Sequence, residues 1–152
     1  RLGKKLLDLG VAIAGIKLGT RGLYLRTGTL PRLQKMGSAC PENVADWANR
    51  ELWFPIFKVD DFKGATGSGD TTIAGFLASL LRSLTPEQAG TFACAVGACN
   101  VEAPDALGGI RDWKQTSERI RRGWEKIPFR VNGKDWRQDA ALFWHGPAEP
   151  RG

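Results

Sequence analysis

The alternation of apolar and polar positions predicts a short series of elements. Ile73, Phe76, Leu77, Leu80, Leu81 and Leu84 recur at i, i+3, i+4, i+7, i+8 and i+11, the spacing of an amphipathic helix that buries all six on one face. Upstream, the chain from Leu2 to Leu9 reads as the end of a helix closed by Gly10. The branched and small apolar residues from Val11 to Leu18 suit a buried strand. Gly19-Thr20-Arg21-Gly22 is a turn, and Leu23-Tyr24-Leu25 opens a second strand, so the pair forms a hairpin. A short helix carrying Trp47 is expected between Asn43 and Arg50. A further strand is expected from Leu52 to Val59, which Pro55 directs to an edge or a bulge. Thr85-Pro86-Glu87-Gln88 is a helix start: a capping hydroxyl, proline at the first helical position, and a glutamine that completes a capping box. The helix behind it is built from small residues, among them Ala89, Ala93, Ala95, Gly97 and Ala98. A third helix begins near Asp112, with Trp113, Ile120, Trp124 and Ile127 on one face, and no element is assigned beyond Pro128.

Composition narrows the class. At 152 residues the chain has the size of one domain, and its 42% apolar and 25% charged content matches a soluble globular core rather than a disordered segment. No apolar run approaches the roughly 20 residues of a membrane span, and the basic start (Arg1, Lys4, Lys5) lacks the apolar stretch of an export signal. No membrane partner is expected. Cys40, Cys94 and Cys99 form no CxxC pair and His145 is the one histidine, which argues against a zinc site or a disulfide scaffold and fits a reducing cytoplasm. The net charge of +6 is spread along the chain. Its densest group, Arg119, Arg121, Arg122 and Lys126, reads as the solvated side of a helix, so nucleic acid is not an expected partner. The excess of positive charge still favours encounter with anionic nucleotides. His145 has no catalytic partner nearby in sequence, and the six tryptophans read as packing residues.

The chemistry concentrates in Gly64-Ala65-Thr66-Gly67-Ser68-Gly69-Asp70-Thr71-Thr72, which leads straight into the first amphipathic helix. A glycine-rich loop feeding a helix start points several unpaired N–H groups at one place, and the helix dipole adds about half a positive charge there. That arrangement cradles an anion. Asp70 sets a carboxylate at its edge, where it is able to take a proton from a hydroxyl attacking a phosphoryl group; equally, an acidic residue in a first turn is ordinary dipole complementation. The loop is neither a GxxxxGK[ST] phosphate loop nor a dinucleotide fingerprint, since Thr72 stands at the third glycine position.

Two motifs in order, Ile16-Lys17-Leu18-Gly19-Thr20-Arg21-Gly22-Leu23 and Ala65-Thr66-Gly67-Ser68-Gly69-Asp70-Thr71, followed by two helices, resemble the C-terminal half of ribokinase-like (PfkB-type) carbohydrate kinases. The likeness runs over roughly residues 5 to 125, and GSGD stands where that family carries GAGD. The resemblance implies an α/β three-layer ribokinase-like fold of which only the C-terminal nucleotide-binding part is present: residues 1–127 as the nucleotide-binding portion, with the N-terminal substrate half absent, and 128–152 as a C-terminal tail. It implies an ATP-dependent phosphotransferase, using Mg2+, that moves the γ-phosphoryl of ATP to a sugar hydroxyl, and it is compatible with a homodimer. In that scheme Asp70 is the catalytic base and Gly67, Ser68 and Gly69 form the anion hole. Lys17, Gly19, Thr20, Arg21 and Gly22 bind nucleotide, and Cys94 and Ala98 line the wall beside the adenine.

Three departures from the family pattern shape the expectation. The family has an Asp six residues before the catalytic one, near a monovalent-cation site; Gly64 stands there, with Asp60 and Asp61 nearby, which argues against activation by potassium. Cys94 replaces a frequent Asn, and Asn100 lies nearby with core, capping or contact roles open. No NxxE element, associated in the family with magnesium, occurs, and the chain opens on Arg-Leu-Gly without Met. The expectation is therefore a piece of a longer kinase that by itself binds ATP weakly and transfers little phosphate, with no dedicated metal residues. Alternatives are a kinase of a nucleoside or a vitamin alcohol, or a non-catalytic nucleotide-binding or scaffold module with the same fold.

Overall fold

Leu23 and Leu25 point to one side of the second strand and Tyr24 to the other, and all three are buried. A strand covered on both faces requires layers above and below it. In the computed structural model, which describes residues 2–150, the chain runs α1 (Leu2–Asp8), β1 (Ile13–Lys17), β2 (Leu23–Thr27), α2 (Leu30–Leu33), β3 (Glu51–Phe54), α3 (Ser68–Leu80), α4 (Pro86–Asn100), α5 (Trp113–Arg121), β4 (Arg137–Gln138) and β5 (Trp144–His145). The strands form one antiparallel sheet in the order β1-β2-β3-β5-β4. Leu23, Leu25, Leu52 and Phe54 meet Phe76, Leu80, Ala89 and Ala93 of α3 and α4 on one face. On the other face Trp53 packs edge-on against Tyr24 and Trp136 and tilted against Phe129, while Gly3 of α1 lies on Tyr24. The α/β class and the three layers follow.

The hairpin forms as expected, with Ile13 paired to Thr27 and Lys17 to Leu23 around a 3-10 turn at Gly19–Arg21. Gly22 closes that turn at φ 79°, a conformation costly for other residues, and a Cβ there would collide with the Phe54 carbonyl. Thr85 and Gln88 make the capping box of α4, and Asp112 and Gln115 make another at α5.

Several expectations need correction. β1 is not a buried strand: it pairs only with β2, so it is the sheet's edge and only Ala14 is fully buried. β3 is shorter than Leu52 to Val59 and lies inside the sheet, because Pro55 ends it rather than sitting within it. The helix around Trp47 is a single 3-10 turn, Val44–Trp47. α5 stops at Arg121, with Gly123 at φ 85°, so Trp124 and Ile127 lie beyond the helix. The six-residue apolar face of α3 is also narrower than its spacing suggested. Phe76 and Leu80 are buried with Thr71, Gly75 and Ser79, whereas Leu77 and Leu81 are 49% and 65% exposed. The reason is the neighbour: Gly75 lies against Val96 and Ala93, so the small-residue ridge of α3 makes the contact.

The stretch after Pro128 supplies β4 and β5, and Phe143 packs on Phe54. Its end is fixed by charge. Arg50 bonds both Glu87 and Glu149, and Glu149 also accepts the Glu51 N–H. His145, bare in the sequence, lies 3.0 Å from Asp139 and 3.5 Å from Glu149. The basic group at 119–126 is only partly a solvated face. Arg121 and Arg122 are exposed and bond Glu118, but Arg119 grips Glu102 and covers Trp124, and Lys126 lies near the rings of Phe57 and Phe143.

Trp47 is fully buried, donates to Leu84 O at 3.1 Å and meets Phe76 edge-on. Trp47→Ala is expected to cost about 3–5 kcal/mol in urea unfolding followed by circular dichroism, through lost burial and a residual cavity. Burial pushes the Glu87 carboxyl up, but the Arg50 hydrogen bond and charge outweigh it and leave it below the ordinary 4.5. A carboxylate held low in the folded state stabilises above its unfolded value and loses that contribution as the pH falls through its folded one. The melting-temperature gap between the wild type and Glu87→Gln is therefore expected to be present at neutral pH and to shrink below 4.5.

Candidate active site

Helix α3 starts at Gly67, which sits in the left-handed region at φ 77° with no side-chain cap. Glycine is needed there twice over, since a Cβ would also lie 2.7 Å from the Ala106 carbonyl oxygen. Ser68 N–H is turned back onto Ala65 O at 3.1 Å. Among the described residues, the N–H groups of Gly67, Gly69 and Asp70 have no protein acceptor. Of the three amides expected to hold an anion, that of Ser68 is thus engaged within the chain, while those of Gly67 and Gly69 lack an acceptor, as does that of Asp70. Thr71 and Thr72 hydroxyls both donate to Ser68 O, which stiffens the first turn behind these donors.

The edge strand brings its last residue to the same mouth. Lys17 Nζ lies over Gly69, where a Cβ would be 2.7 Å from it, and 3.7 Å from Asp70 Oδ1. Ammonium, helix dipole and free amides therefore converge on one volume, a setting for a phosphate. Asp70 is 93% exposed, so its carboxylate is open to an incoming group.

Behind this mouth lies a pocket of about 440 Å³, of the size that takes small ligands. Its polar end is Lys17, Thr20, Ser68, Gly69 and Thr72. The rest of its lining is mostly apolar and includes Phe57, Val59, Ile127, Cys94 and Ala98, with Gly97 among them. The small residues of α4 leave this space open, and Gly97 additionally admits the Thr72 hydroxyl. Burial pushes the Cys94 thiol up to about 12, so it is a neutral wall group.

Of the residues expected from sequence, Lys17, Gly19, Thr20, Gly22, Ser68, Gly69, Cys94 and Ala98 line this pocket; Asp70 meets it through Lys17, and Gly67 adjoins Ser68 without lining it. Arg21 does not face it: its guanidinium lies over the Trp53 ring, and its carbonyl accepts the indole N–H. Sequence reasoning missed ten of the lining residues, Ile56, Phe57 and Ile127 among them. These three come from a two-stranded contact between residues 56–58 and 125–127, held by Ile127 N–H to Ile56 O and Lys58 N–H to Glu125 O, which no local pattern announces.

Comparison with known proteins accords with this geometry. The model of the pfkB family carbohydrate kinases matches residues 2–112, and the chain belongs to that family. It is similar to ribokinase from Thermotoga maritima, with 25% identity and a TM-score of 0.60 over 78% of this chain and 33% of that one. It is also similar to the aminoimidazole riboside kinase of Salmonella enterica, solved with aminoimidazole riboside and an ATP analog, with 27% identity and a TM-score of 0.54 over 76% and 34%. The nucleoside kinase of Methanocaldococcus jannaschii, an archaeal member of the ribokinase family, shares the fold at 20% identity, with a TM-score of 0.57 over 74% and 31%. The chain spans about a third of the length of these structures. No curated protein matches it.

Metal ligation is sparse. Among the described residues no three His, Cys, Asp or Glu side chains converge, and Asp61 is paired with Lys63 at 2.8 Å.

Thiol chemistry tests the wall directly. At pH 8 in the native chain, Cys94 and Cys99, both buried and pushed up by that burial, are expected to resist a disulfide reagent, while the half-buried Cys40 reacts first. Guanidinium unfolding releases all three, and prompt native reaction at Cys94 would contradict the closed wall.

Proposed function

We propose that this chain is the nucleotide-binding, C-terminal part of an ATP-dependent kinase that transfers the γ-phosphoryl group of ATP to a hydroxyl of a sugar-like alcohol. The observation that carries the proposal is the convergence of Lys17 Nζ, the free amides of Gly67, Gly69 and Asp70, and the Asp70 carboxylate beside an apolar pocket. The base of the nucleotide lies among Phe57, Val59, Ile127, Cys94 and Ala98, a largely apolar slot that binds by burial rather than by hydrogen-bond readout. Its phosphates point to the helix mouth. Magnesium enters with ATP as part of the substrate, neutralising phosphate charge.

The transfer asks for positioning and charge stabilisation more than for covalent chemistry. The acceptor oxygen attacks the γ-phosphorus as the bond to the β-bridging oxygen breaks. The hydroxyl proton passes to Asp70, and ADP leaves. Lys17 and the amides hold the equatorial oxygens, where charge develops. Asp70 meets solvent rather than a wall within this chain, so acceptor binding and exclusion of water are assigned to parts of the kinase beyond the third spanned here.

The test is an acceptor screen by coupled ADP release, using the full-length protein with sugars, nucleosides and vitamin alcohols, alongside Asp70→Asn. Turnover is expected with one acceptor class, and Asp70→Asn is expected to lower kcat by about 10²–10⁴ while leaving ATP affinity nearly unchanged. ATP binding without turnover on any acceptor would assign the module a non-catalytic nucleotide-binding role. An Asp70→Asn protein of full activity would remove Asp70 from the mechanism.

A further inference from the structure

Asn100, the last residue of α4, is fully buried and belongs to neither the pocket nor the hydrophobic core. Its Nδ2 donates to Ala106 O at 3.1 Å and to Thr66 O at 3.4 Å. These two carbonyls come from different loops, one leading into Gly67 and the other following α4. Around this pair the loops are otherwise closely set. Gly67 abuts Ala106, Gly109 abuts the Cys99 and Asn100 backbone, and Gly64 lies near the Ala103 and Pro104 carbonyls. Lys63 N–H and Gly64 N–H both reach Val101 O, and Asp105 accepts from Leu107 N–H and Gly108 N–H.

An array of carbonyl oxygens facing one another across two loops needs an electropositive group between them. The family places a monovalent cation near the position that Gly64 occupies in this chain. The residues here do not fit one. Gly64 supplies no carboxylate, Asp61 is engaged by Lys63, and the group that meets the Thr66 and Ala106 oxygens is an NH2, a donor with no capacity to ligate a cation. The opposite setting of the amide would put three oxygens together. The observed one satisfies both carbonyls and leaves only Asn100 Oδ1 without a partner.

We infer that the Asn100 carboxamide does the work of a cation in this chain: it clasps the Gly67 loop to the 102–110 loop, fixes the free amides of the helix mouth, and makes the site independent of potassium. Asn100 is thus a positioning residue, acting through Thr66 and Ala106 on Gly67. The kinetic part of this inference rests on the kinase reading above; the structural part does not.

The experiment compares the full-length protein in potassium chloride and in tetramethylammonium chloride at equal ionic strength. Melting temperature and ATP affinity are expected to be the same in the two salts. A stabilisation by potassium that sodium and tetramethylammonium do not reproduce would overturn the inference whether or not any acceptor is phosphorylated. In Asn100→Ala, amide hydrogen exchange is expected to rise at least about fivefold at the hydrogen-bonded amides of Ser68, Thr71, Leu107 and Gly108, the equivalent of one hydrogen bond, with α5 unchanged. Unchanged exchange at the helix mouth would overturn it. Once an acceptor is known, kcat of Asn100→Ala is expected to fall by about tenfold or more, with a smaller change in KM for ATP, as for loss of an interaction at the transferring group. Asn100→Asp sets a carboxylate against the two carbonyls, and is expected to convert the enzyme to one whose activity and melting temperature depend on potassium. If Asn100→Ala does not fold, the wild-type salt comparison and Asn100→Asp decide the matter. Potassium dependence in the wild type, or none in a folded Asn100→Asp, would count against the clasp.

Discussion

The close approach of α3 and α4 is the constraint on which the rest of this structure depends. Gly75 sits against Val96 and the Ala93 backbone, and Gly97 against Thr72, so the two helices meet through positions without bulky side chains. Helices brought this near fix the start of α3 relative to the sheet, and the start of α3 is where the amides of Gly69 and Asp70 emerge. The same small residues keep the α4 wall thin enough to leave a pocket against β2 and the 56–59 segment. A larger residue at position 75 or 97 would push the mouth of the helix away from Lys17, and packing and chemistry would fail together.

The charges at the site are arranged without burial. Lys17 and Asp70 are both solvent-accessible, and an exposed pair of this kind adds little to stability. The pair instead holds two opposite charges 3.7 Å apart, which the proposed reaction uses on phosphate oxygens and on a hydroxyl proton. The buried charges lie elsewhere, at Arg50 with Glu87 and Glu149 and at Glu51 with Arg26 and Tyr24, where they fasten the sheet, α4 and the C-terminal strands to one another. Stability and chemistry thus draw on separate sets of ionic groups.

The signals read correctly along the chain are those in which a local conformation and a residue type coincide. The turn at 19–22, the capping box at Thr85, the helix start near Asp112 and the glycine entry to α3 each depend on backbone needs met within a few residues. The signals that misled concern which face is covered. Leu77 and Leu81 share the spacing of Phe76 and Leu80, yet the partner helix selects the ridge of Thr71, Gly75 and Ser79 instead. Trp124 and Ile127 continue the period of α5, yet Gly123 turns the chain away to pair with residues 56–58. Periodicity reports that a face is apolar and is silent about its neighbour.

What the sequence by itself determined is the local groups of the candidate site: a glycine-rich helix entry with an acidic residue in its first turn, and a lysine at the end of a strand before a glycine turn. These rest on short-range stereochemistry, which a few adjacent residues dictate. Only the tertiary structure decided that Lys17 reaches Gly69, that Ser68 spends its N–H on Ala65, that Arg21 turns to Trp53, and that Asn100 bridges two loops. Each of these but the Ser68 turn joins groups distant in sequence or set by competing neighbours, and such contacts exist only once the layers have packed.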